Sequence, residues 1–376
     1  MTRPSAVSLE YVSTIFMSNS QPLRIAIIGP GKVAHLHAKA VLQTPDTTLV
    51  AVYGRTHQKA DDFAGQYGIR AYNDIADMVG RENVDLCIVC TPHPAHREPA
   101  VAALNAGSHV LVEKPLASSV EDCDAMIEAA RRNSRHLGVV SQRRFYNPSL
   151  RIRRAIDTGL IGKPVLGTIQ MLGWRDEPYY QSDPWRGTWA GEGGGVLVNQ
   201  APHQLDLLLW YMGEAESVFG VWSNLNHPYI EVDDTALAIV KFKNGGLGNI
   251  IVSNSQKPGI FGKVHVHGQN GASVGVQTDG GALFIAGRSS ITEPPVNDLW
   301  TVPGEETELA KFIAEDTDQF NRIDATVYFF GVQIADFCNA IRAGRPPMVT
   351  GENGRQVVAL FQAIYESTRT GLPVVL

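Results

Sequence analysis

The run LRIAIIGPGKVA, Leu23 to Ala34, constrains this chain more than any other stretch. A short, mostly apolar strand ends at Gly29, and Gly31 and Ala34 complete a G-x-G-x-x-A pattern as a helical run begins. The first glycine permits a tight turn, the second lets backbone approach a pyrophosphate, and the small third residue packs helix on sheet. Backbone N–H groups and the helix dipole then favour phosphate at that point. Gly29, Gly31, Lys32, Val33 and Ala34 are the expected cofactor contacts; the bland alternative is an ordinary strand–helix turn.

The rhythm continues beyond the glycines. LVAVYGR, VDLCIVCTP and HVLVEKP read as strands, and HQKADDFAGQYG, HREPAVAALNAG and SVEDCDAMIEAARR read as helices between or after them. Such alternation specifies a doubly wound parallel sheet, lasting to about Val140. An NAD-specific site commonly carries an acid at the tip of the second strand, about 20 residues past the glycines. Gly54 and Arg55 stand there instead. No carboxylate repels a 2′-phosphate and Arg55 can bind one, so NADP is slightly favoured over NAD. Arg55 packing over an adenine would serve either cofactor.

After Gln142 the grammar changes. KPVLGTIQMLGW, DTALAIVKF, LGNIIVSN and KVHVHG alternate with period two, and Asn244–Gly245 predicts a hairpin of type I′. Two amphipathic helices close the chain; the last carries the stripe Val357, Leu360, Phe361 and Ile364 and ends at Gly371. The expected division is a dinucleotide domain over 22–142 and an α+β domain over 143–376 around a large, mostly antiparallel open sheet. Residues 1–21 carry no signal-peptide pattern and are set aside as a mobile extension, with Met17 an alternative start.

With 376 residues, 44% of them hydrophobic, the chain can bury two cores. A net charge of −6 argues against nucleic acid or an anionic membrane as partner, and no apolar run spans a bilayer. The four cysteines form no framework, which fits a reducing cytoplasm. Cys87 and Cys90 make a CxxC inside an apparent buried strand, a poor setting for redox or zinc chemistry. His35/His37 and His265/His267 lack a third ligand at metal spacing, so no metal is expected.

Two further segments carry chemistry. Glu113, Lys114 and Pro115 follow a strand at the sheet's carboxyl edge, where doubly wound folds bind ligands. Taken alone, Lys114 is equally well a surface cation. GGGVLVNQAPHQLDLLLW, Gly193 to Trp210, reads as glycines, a short apolar strand and a helix with Pro202 in its first turn. Leu205, Leu208, Leu209 and Met212 form its buried stripe, leaving His203, Asp206 and Trp210 on another face. Asn199 can cap that helix or reach a ligand. His203 can be a core histidine bonded to Asp206, or an acid/base.

With TPHPAH, these motifs resemble the Gfo/Idh/MocA oxidoreductase family over nearly everything after residue 22. The resemblance implies an N-terminal Rossmann domain, a C-terminal α/β domain with a large open sheet, and oxidation or reduction of a secondary alcohol on a sugar, cyclitol or related ring. The family's E-K-P lysine falls on Lys114, which would orient the reacting oxygen. Its D-x-G-x-H-x-x-D pattern falls on Asn199, Ala201, His203 and Asp206, with His203 as acid/base. Thr91, Pro92, His96, Glu113 and Lys114 match residues near the cofactor. Asn199 and Ala201 depart from the family's aspartate and glycine, and an amide cannot ionise.

The expected chemistry is hydride transfer with NAD(P), His203 taking the hydroxyl proton and Lys114 stabilising developing charge. A histidine's ordinary pKa of about 6.5 suits that work. Asn199 would position a neighbouring hydroxyl or the imidazole by donating and accepting. Arg143 and Tyr146, with Trp174, Arg175 and Trp185 from an aromatic segment that also holds Tyr179, Tyr180, Arg186 and Trp189, are expected substrate contacts; a packed loop or a subunit interface is the alternative. The expected partners are a small carbohydrate-like substrate and further copies of the chain, as dimer or tetramer. A cyclic dihydrodiol dehydrogenase, a reductase of keto-sugars and a non-catalytic dinucleotide sensor are the competing functions.

Overall fold

Six short strands, β1 (Leu23–Ile28), β2 (Thr47–Tyr53), β3 (Arg70–Tyr72), β4 (Leu86–Val89), β5 (His109–Val112) and β6 (Leu137–Val139), form one parallel sheet. The structure, a computed structural model, describes residues 21–376 except 258, 260, 280–282 and 286–287, with backbone alone for 283–285 and 288–290. The extension expected over 1–21 thus lies outside the described residues, apart from Gln21. The strand order β3-β2-β1-β4-β5-β6 reverses direction between β1 and β4. In an open sheet of this kind the ligand-binding crevice opens at the carboxyl ends beside that reversal, where Gly29 and Thr91 lie.

Burial explains why these runs are strands. All four residues of β4 are buried, as are Ile25 to Ile28 of β1, so each strand is covered on both faces by helices. Lys32–Gln43 contributes Ala34, Ala38 and Val41 to that core. The helix Tyr328–Ala343 supplies Ile334, Phe337 and Cys338 and packs against Lys32–Gln43. Residues 326–358 therefore belong to the same compact unit as the parallel sheet, although they follow the second domain in sequence. The sequence boundary at 142/143 groups them with the C-terminal part; their apolar face is met by the first helix instead.

The other unit comprises 143–325 and 359–376. Here β7 (Pro164–Leu172), β8 (Ala215–Ser223), β9 (Thr235–Phe242), β10 (Leu247–Ser253), β11 (Phe261–Gly268) and β12 (Ser273–Thr278) are built into an eight-stranded sheet. A separate short pair, β13 (Leu283–Ile285) and β14 (Arg288–Ser290), stands apart from it. Strands β15 (Val296–Trp300) and β16 (Val374–Val375) complete the large sheet in the order β15-β12-β11-β7-β10-β9-β8-β16. Every pairing in it is antiparallel except β7 with β10.

One face of this sheet is covered by Pro202–Met212. A side chain at Gly167 of β7 would sit 2.6 Å from Leu208 Cδ1 and 2.7 Å from Met212 Cγ, so glycine sets the close approach of helix to strand. The opposite face is open: along β9, Ala236, Ala238, Val240 and Phe242 are buried while Leu237, Ile239 and Lys241 between them are exposed. The Asn244–Gly245 hairpin forms as expected, but its turn differs from type I′. Gly245 alone takes a positive φ, of 85°, while Asn244 bonds the Gly246 N–H through its side chain at 2.7 Å. The last helix, Gly351–Thr370, buries Val357, Leu360, Phe361 and Ile364, and Gly371 follows it at φ 70°.

Candidate active site

The phosphate loop is shaped by backbone. Gly29 adopts φ 97°, and a Cβ there would lie 3.0 Å from Thr91 Cγ2 and from the Thr91 nitrogen. Gly31 has open space, its nearest neighbour being the Cys90 carbonyl oxygen at 3.9 Å, and it is exposed. It caps Lys32–Gln43 without a side-chain hydrogen bond, at a helix end whose dipole favours an anion. These features fit the pyrophosphate of a dinucleotide. Lys32 is exposed, Val33 half-buried, and Ala34 fully buried against the sheet.

Beyond β2, a side chain at Gly54 would press on Ala60 Cβ and Pro30 Cδ at 3.1 Å, whereas Arg55 is exposed. Beyond β4, His96 ties the edge together. Its ring is buried, with Nε2 2.8 Å from the Thr91 carbonyl and Nδ1 3.1 Å from that of Pro115. Burial lowers its pKa. Thr91 in turn donates its hydroxyl to the Ala95 carbonyl at 3.0 Å. His96 thus locks the Thr91–Pro92 turn to the segment holding Pro115.

Lys114 follows Glu113 just past β5, is half-buried, and precedes Pro115 through a cis peptide. Glu113 is the anchor. Its Oε2 accepts the Lys114 N–H at 3.0 Å, and its Oε1 lies 2.7 Å from Nε2 of fully buried His37. Burial by itself would raise the Glu113 carboxyl, but the His37 bond and the Lys114 charge outweigh it and hold the group below its usual range. The sequence signals missed this partnership, because His37 lies 76 residues away. Cys87 and Cys90 are buried, and burial pushes the Cys87 thiol up to about 12.

In the other unit the segment before the Pro202 helix departs from expectation. Val196–Gln200 is a π-helical turn, not a strand, and the residue capping Pro202–Met212 is Ala201, not Asn199. The cause is Asp233, a buried residue whose Oδ1 accepts the Gly195 N–H at 2.6 Å and whose Oδ2 accepts that of Leu197 at 3.0 Å. Its carbonyl accepts the Val196 N–H at 2.9 Å, and a Cβ at Gly195 would fall 1.9 Å from that same oxygen. An apolar run gripped this way winds instead of extending.

Asn199 lies in that turn, half-buried. Its Nδ2 donates to Glu192 Oε1 and, at 3.2 Å, to the Tyr179 hydroxyl. Tyr179 Oη also receives Arg186 Nη1 at 2.7 Å and Gln200 Nε2 at 3.0 Å. Glu192 is buried and accepts the Gly187 N–H at 2.6 Å. Burial is the main force raising its pKa, to about 7. No sequence motif flagged Glu192; a lone acid ahead of three glycines was the only sign.

The expected polar face of the Pro202 helix is buried as well. His203 is 6% exposed and Asp206 4%. Arg144, which sequence reasoning passed over, grips Asp206 with two bonds, Nε to Oδ2 at 2.8 Å and Nη2 to Oδ1 at 2.6 Å. Arg143 donates to Asp279 Oδ1 at 2.7 Å, and burial raises the nearby Tyr146 hydroxyl to about 12. Trp174, Arg175 and Trp185 are half-buried. Arg175 donates to the Trp174 carbonyl at 2.7 Å, and the Arg186 guanidinium sits 4.4 Å from the ring centres of both Trp185 and Tyr179. Among the described residues no group of three His, Cys, Asp or Glu side chains could hold a metal. His265 does find an acidic partner, Asp298 at 2.9 Å, on a strand distant in sequence.

The doubly wound sheet and its glycine turn define a dinucleotide-binding domain. An oxidoreductase family with an NAD-binding Rossmann fold matches residues 23–141, and the GFO/IDH/MocA C-terminal domain matches 149–274. The chain belongs to the GFO/IDH/MocA oxidoreductase family. It is 27% identical over 361 residues to the myo-inositol 2-dehydrogenase of Thermotoga maritima, covering 92% of this chain and 96% of that one. It is 26% identical to the D-glucoside 3-dehydrogenase of Escherichia coli K12, covering 94% and 98%. The crystal structure of the WlbA dehydrogenase of Bordetella pertussis, in complex with NADH and UDP-GlcNAcA, superimposes with a TM-score of 0.82 at 26% identity, covering 96% and 99%.

Proposed function

We propose that this dehydrogenase moves a hydride between NAD(P) and a secondary hydroxyl or keto carbon of a sugar, glycoside or cyclitol, with Lys114, His203 and Asn199 at the reacting end. The observation that carries the reading is Lys114, fixed by the His37–Glu113 pair at the carboxyl edge of the sheet that bears the glycine loop. The names of relatives acting on an inositol and a glucoside support the substrate class. When bound, the nicotinamide supplies the hydride acceptor or donor. His203 takes the hydroxyl proton, and Lys114 hydrogen-bonds the same oxygen and stabilises its developing charge. Asn199 contacts a neighbouring hydroxyl, and Arg143, Tyr146, Trp174, Arg175 and Trp185 surround the ring. Gly29, Gly31, Lys32, Val33, Ala34, Gly54, Arg55, Thr91, Pro92, His96, Glu113 and Lys114 serve the cofactor, with NADP slightly preferred through Arg55.

Retention of both Lys114 and His203 favours an enzyme over a dinucleotide sensor. The test is Lys114→Ala and His203→Ala, with cofactor binding and turnover measured separately on a panel of cyclitols, glycosides and keto-sugars. His203→Ala is expected to bind cofactor like the parent and Lys114→Ala to retain binding, while each loses about 10²–10⁴-fold in turnover. Parent-like turnover in both would overturn the mechanism.

The open face of the large sheet supports a homo-oligomer. Phe219 and Val221 of β8 stand opposite Ile239 and Leu237 of β9, all exposed, and Leu247 of β10 extends the patch. A contiguous apolar patch of this kind marks an interaction surface, and a second copy of the chain is the proposed occupant. Ile239→Lys is expected to lower the mass seen by light scattering; an unchanged mass would exclude this face. No helix among the described residues is long and apolar enough to cross a membrane, and the proposed location is the cytoplasm.

A further inference from the structure

Asn199 donates from Nδ2 to both Glu192 Oε1 and the Tyr179 hydroxyl, so both hydrogens of the amide point at neighbours within its own unit. Only a nitrogen can face an ionised carboxylate, which is purely an acceptor. Glu192 is itself fixed: its other oxygen accepts the Gly187 N–H, and the side chain is 1% exposed. We propose that Glu192 is the positioning residue of Asn199, holding the amide nitrogen inward so that Asn199 meets the substrate as a hydrogen-bond acceptor. This rests on the reading of Asn199 as a substrate contact given above.

Two consequences follow. A protonated Glu192 can donate its hydroxyl to the amide oxygen, and the amide then turns over and offers N–H groups to the substrate. The change falls near neutrality, since burial raises Glu192 to about 7 against the Gly187 and Asn199 bonds. The charged and titratable groups facing Glu192 include Arg186 and Asp233 and the hydroxyls of Tyr179, Tyr180 and Tyr365. The second consequence concerns the residue type at 199. An aspartate there would set two carboxyls against each other, and one would be forced to stay protonated. The site carries one carboxyl and one amide, with the carboxyl on Glu192, and the pair should work with the two exchanged.

The first measurement needs no substrate. In the full chain labelled with ¹⁵N-asparagine, the side-chain signals missing from Asn199→Ala are followed against pH. They are expected to shift with a midpoint near neutrality in the parent and to lose that midpoint in Glu192→Gln. No midpoint in the parent, or the same midpoint in Glu192→Gln, overturns the proposal. The second measurement uses myo-inositol and a methyl glucoside with NAD and NADP. Glu192→Gln should raise KM about tenfold with kcat changed less than about threefold, and Asn199→Asp should cost about a hundredfold in kcat/KM. The exchanged pair, Glu192→Gln with Asn199→Asp, should return to within about tenfold of the parent. Additive losses in the pair would leave Glu192 a merely structural residue and overturn the proposal. If the parent turns over neither probe, the functional reading fails on these substrates, and the amide signals alone decide for Glu192.

Discussion

Glu113 and Glu192 are both buried glutamates, each hydrogen-bonded beside a residue assigned to the chemistry, and each stands in a different unit. Burial pushes both carboxyls upward, yet Glu113 ends below its usual range and Glu192 ends at about 7. The partners differ. Glu113 meets the His37 ring and the Lys114 charge, whereas the Gly187 N–H and the Asn199 amide that bind Glu192 are neutral. Arg186 does lower Glu192, but Asp233 works against it. The bonds from Gly187 and Asn199 thus do not offset burial at Glu192, whereas the His37 bond together with the Lys114 charge does at Glu113. The Lys114 edge is built for constant charge, the Asn199 turn for a charge that can change.

Glu113→Gln should have the largest effect on stability, because breaking one side of a buried pair costs about 3–5 kcal/mol. The Glu113 pKa is lowered on folding, so its contribution is present above the ordinary value of 4.5 and lost as pH falls through the folded value. The deficit of Glu113→Gln against the parent in urea unfolding should therefore shrink in acid. Glu192 has the opposite sign. Its pKa is raised, so its contribution is full below 4.5 and lost as pH rises through about 7. Across that window the parent should lose about 3 kcal/mol that Glu192→Gln does not. Equal slopes in the parent and in Glu192→Gln would break the contrast between the two glutamates.

The same contrast explains what was legible in the sequence. Gly29, Gly31 and the strand–helix alternation announced the parallel sheet, because backbone geometry there is dictated by local residue type and period. The alternation KPVLGTIQMLGW and its successors likewise announced the second sheet. The turn at Val196–Gln200 was not legible, since Asp233, which grips it, lies 38 residues from Gly195. Nor was the burial of His203 and Asp206, since Arg144, which grips Asp206, comes 62 residues before it. His37 was missed for the same reason, its partner Glu113 lying 76 residues away, whereas Glu192 is near Asn199 in sequence and was missed because the turn that joins them is set by Asp233. The candidate site was readable where it is made of backbone and opaque where it is made of side-chain pairs.

Gly29 and Gly31 allow a sharper test of the backbone half. Gly29→Ala puts a Cβ 3.0 Å from Thr91 at a positive φ, so it should cost about 1–3 kcal/mol of stability as well as cofactor affinity. Gly31→Ala meets nothing closer than 3.9 Å at φ −87°, so its thermal unfolding should stay within about 0.5 kcal/mol of the parent while cofactor affinity falls. Matching losses of stability in both variants would mean that Gly31 serves the fold and not the ligand.

The smallest expected effect lies at the tip of β2. A side chain at Gly54 would crowd Ala60 and Pro30 at 3.1 Å, so an acid cannot stand there without moving the helix His57–Tyr67 or the phosphate loop. The neighbouring Arg55 is exposed, and in the proposed NADP reading it meets the 2′-phosphate. A guanidinium–phosphate contact open to solvent contributes about 1.4 kcal/mol, or about tenfold in affinity. Arg55→Ala should accordingly weaken NADP about tenfold, leave NAD unchanged in a fluorescence titration, and lose its NADP contrast at high salt, where exposed charges are screened. A parent that binds NAD much more tightly than NADP would remove the 2′-phosphate from the account and leave Arg55 as packing for the adenine end.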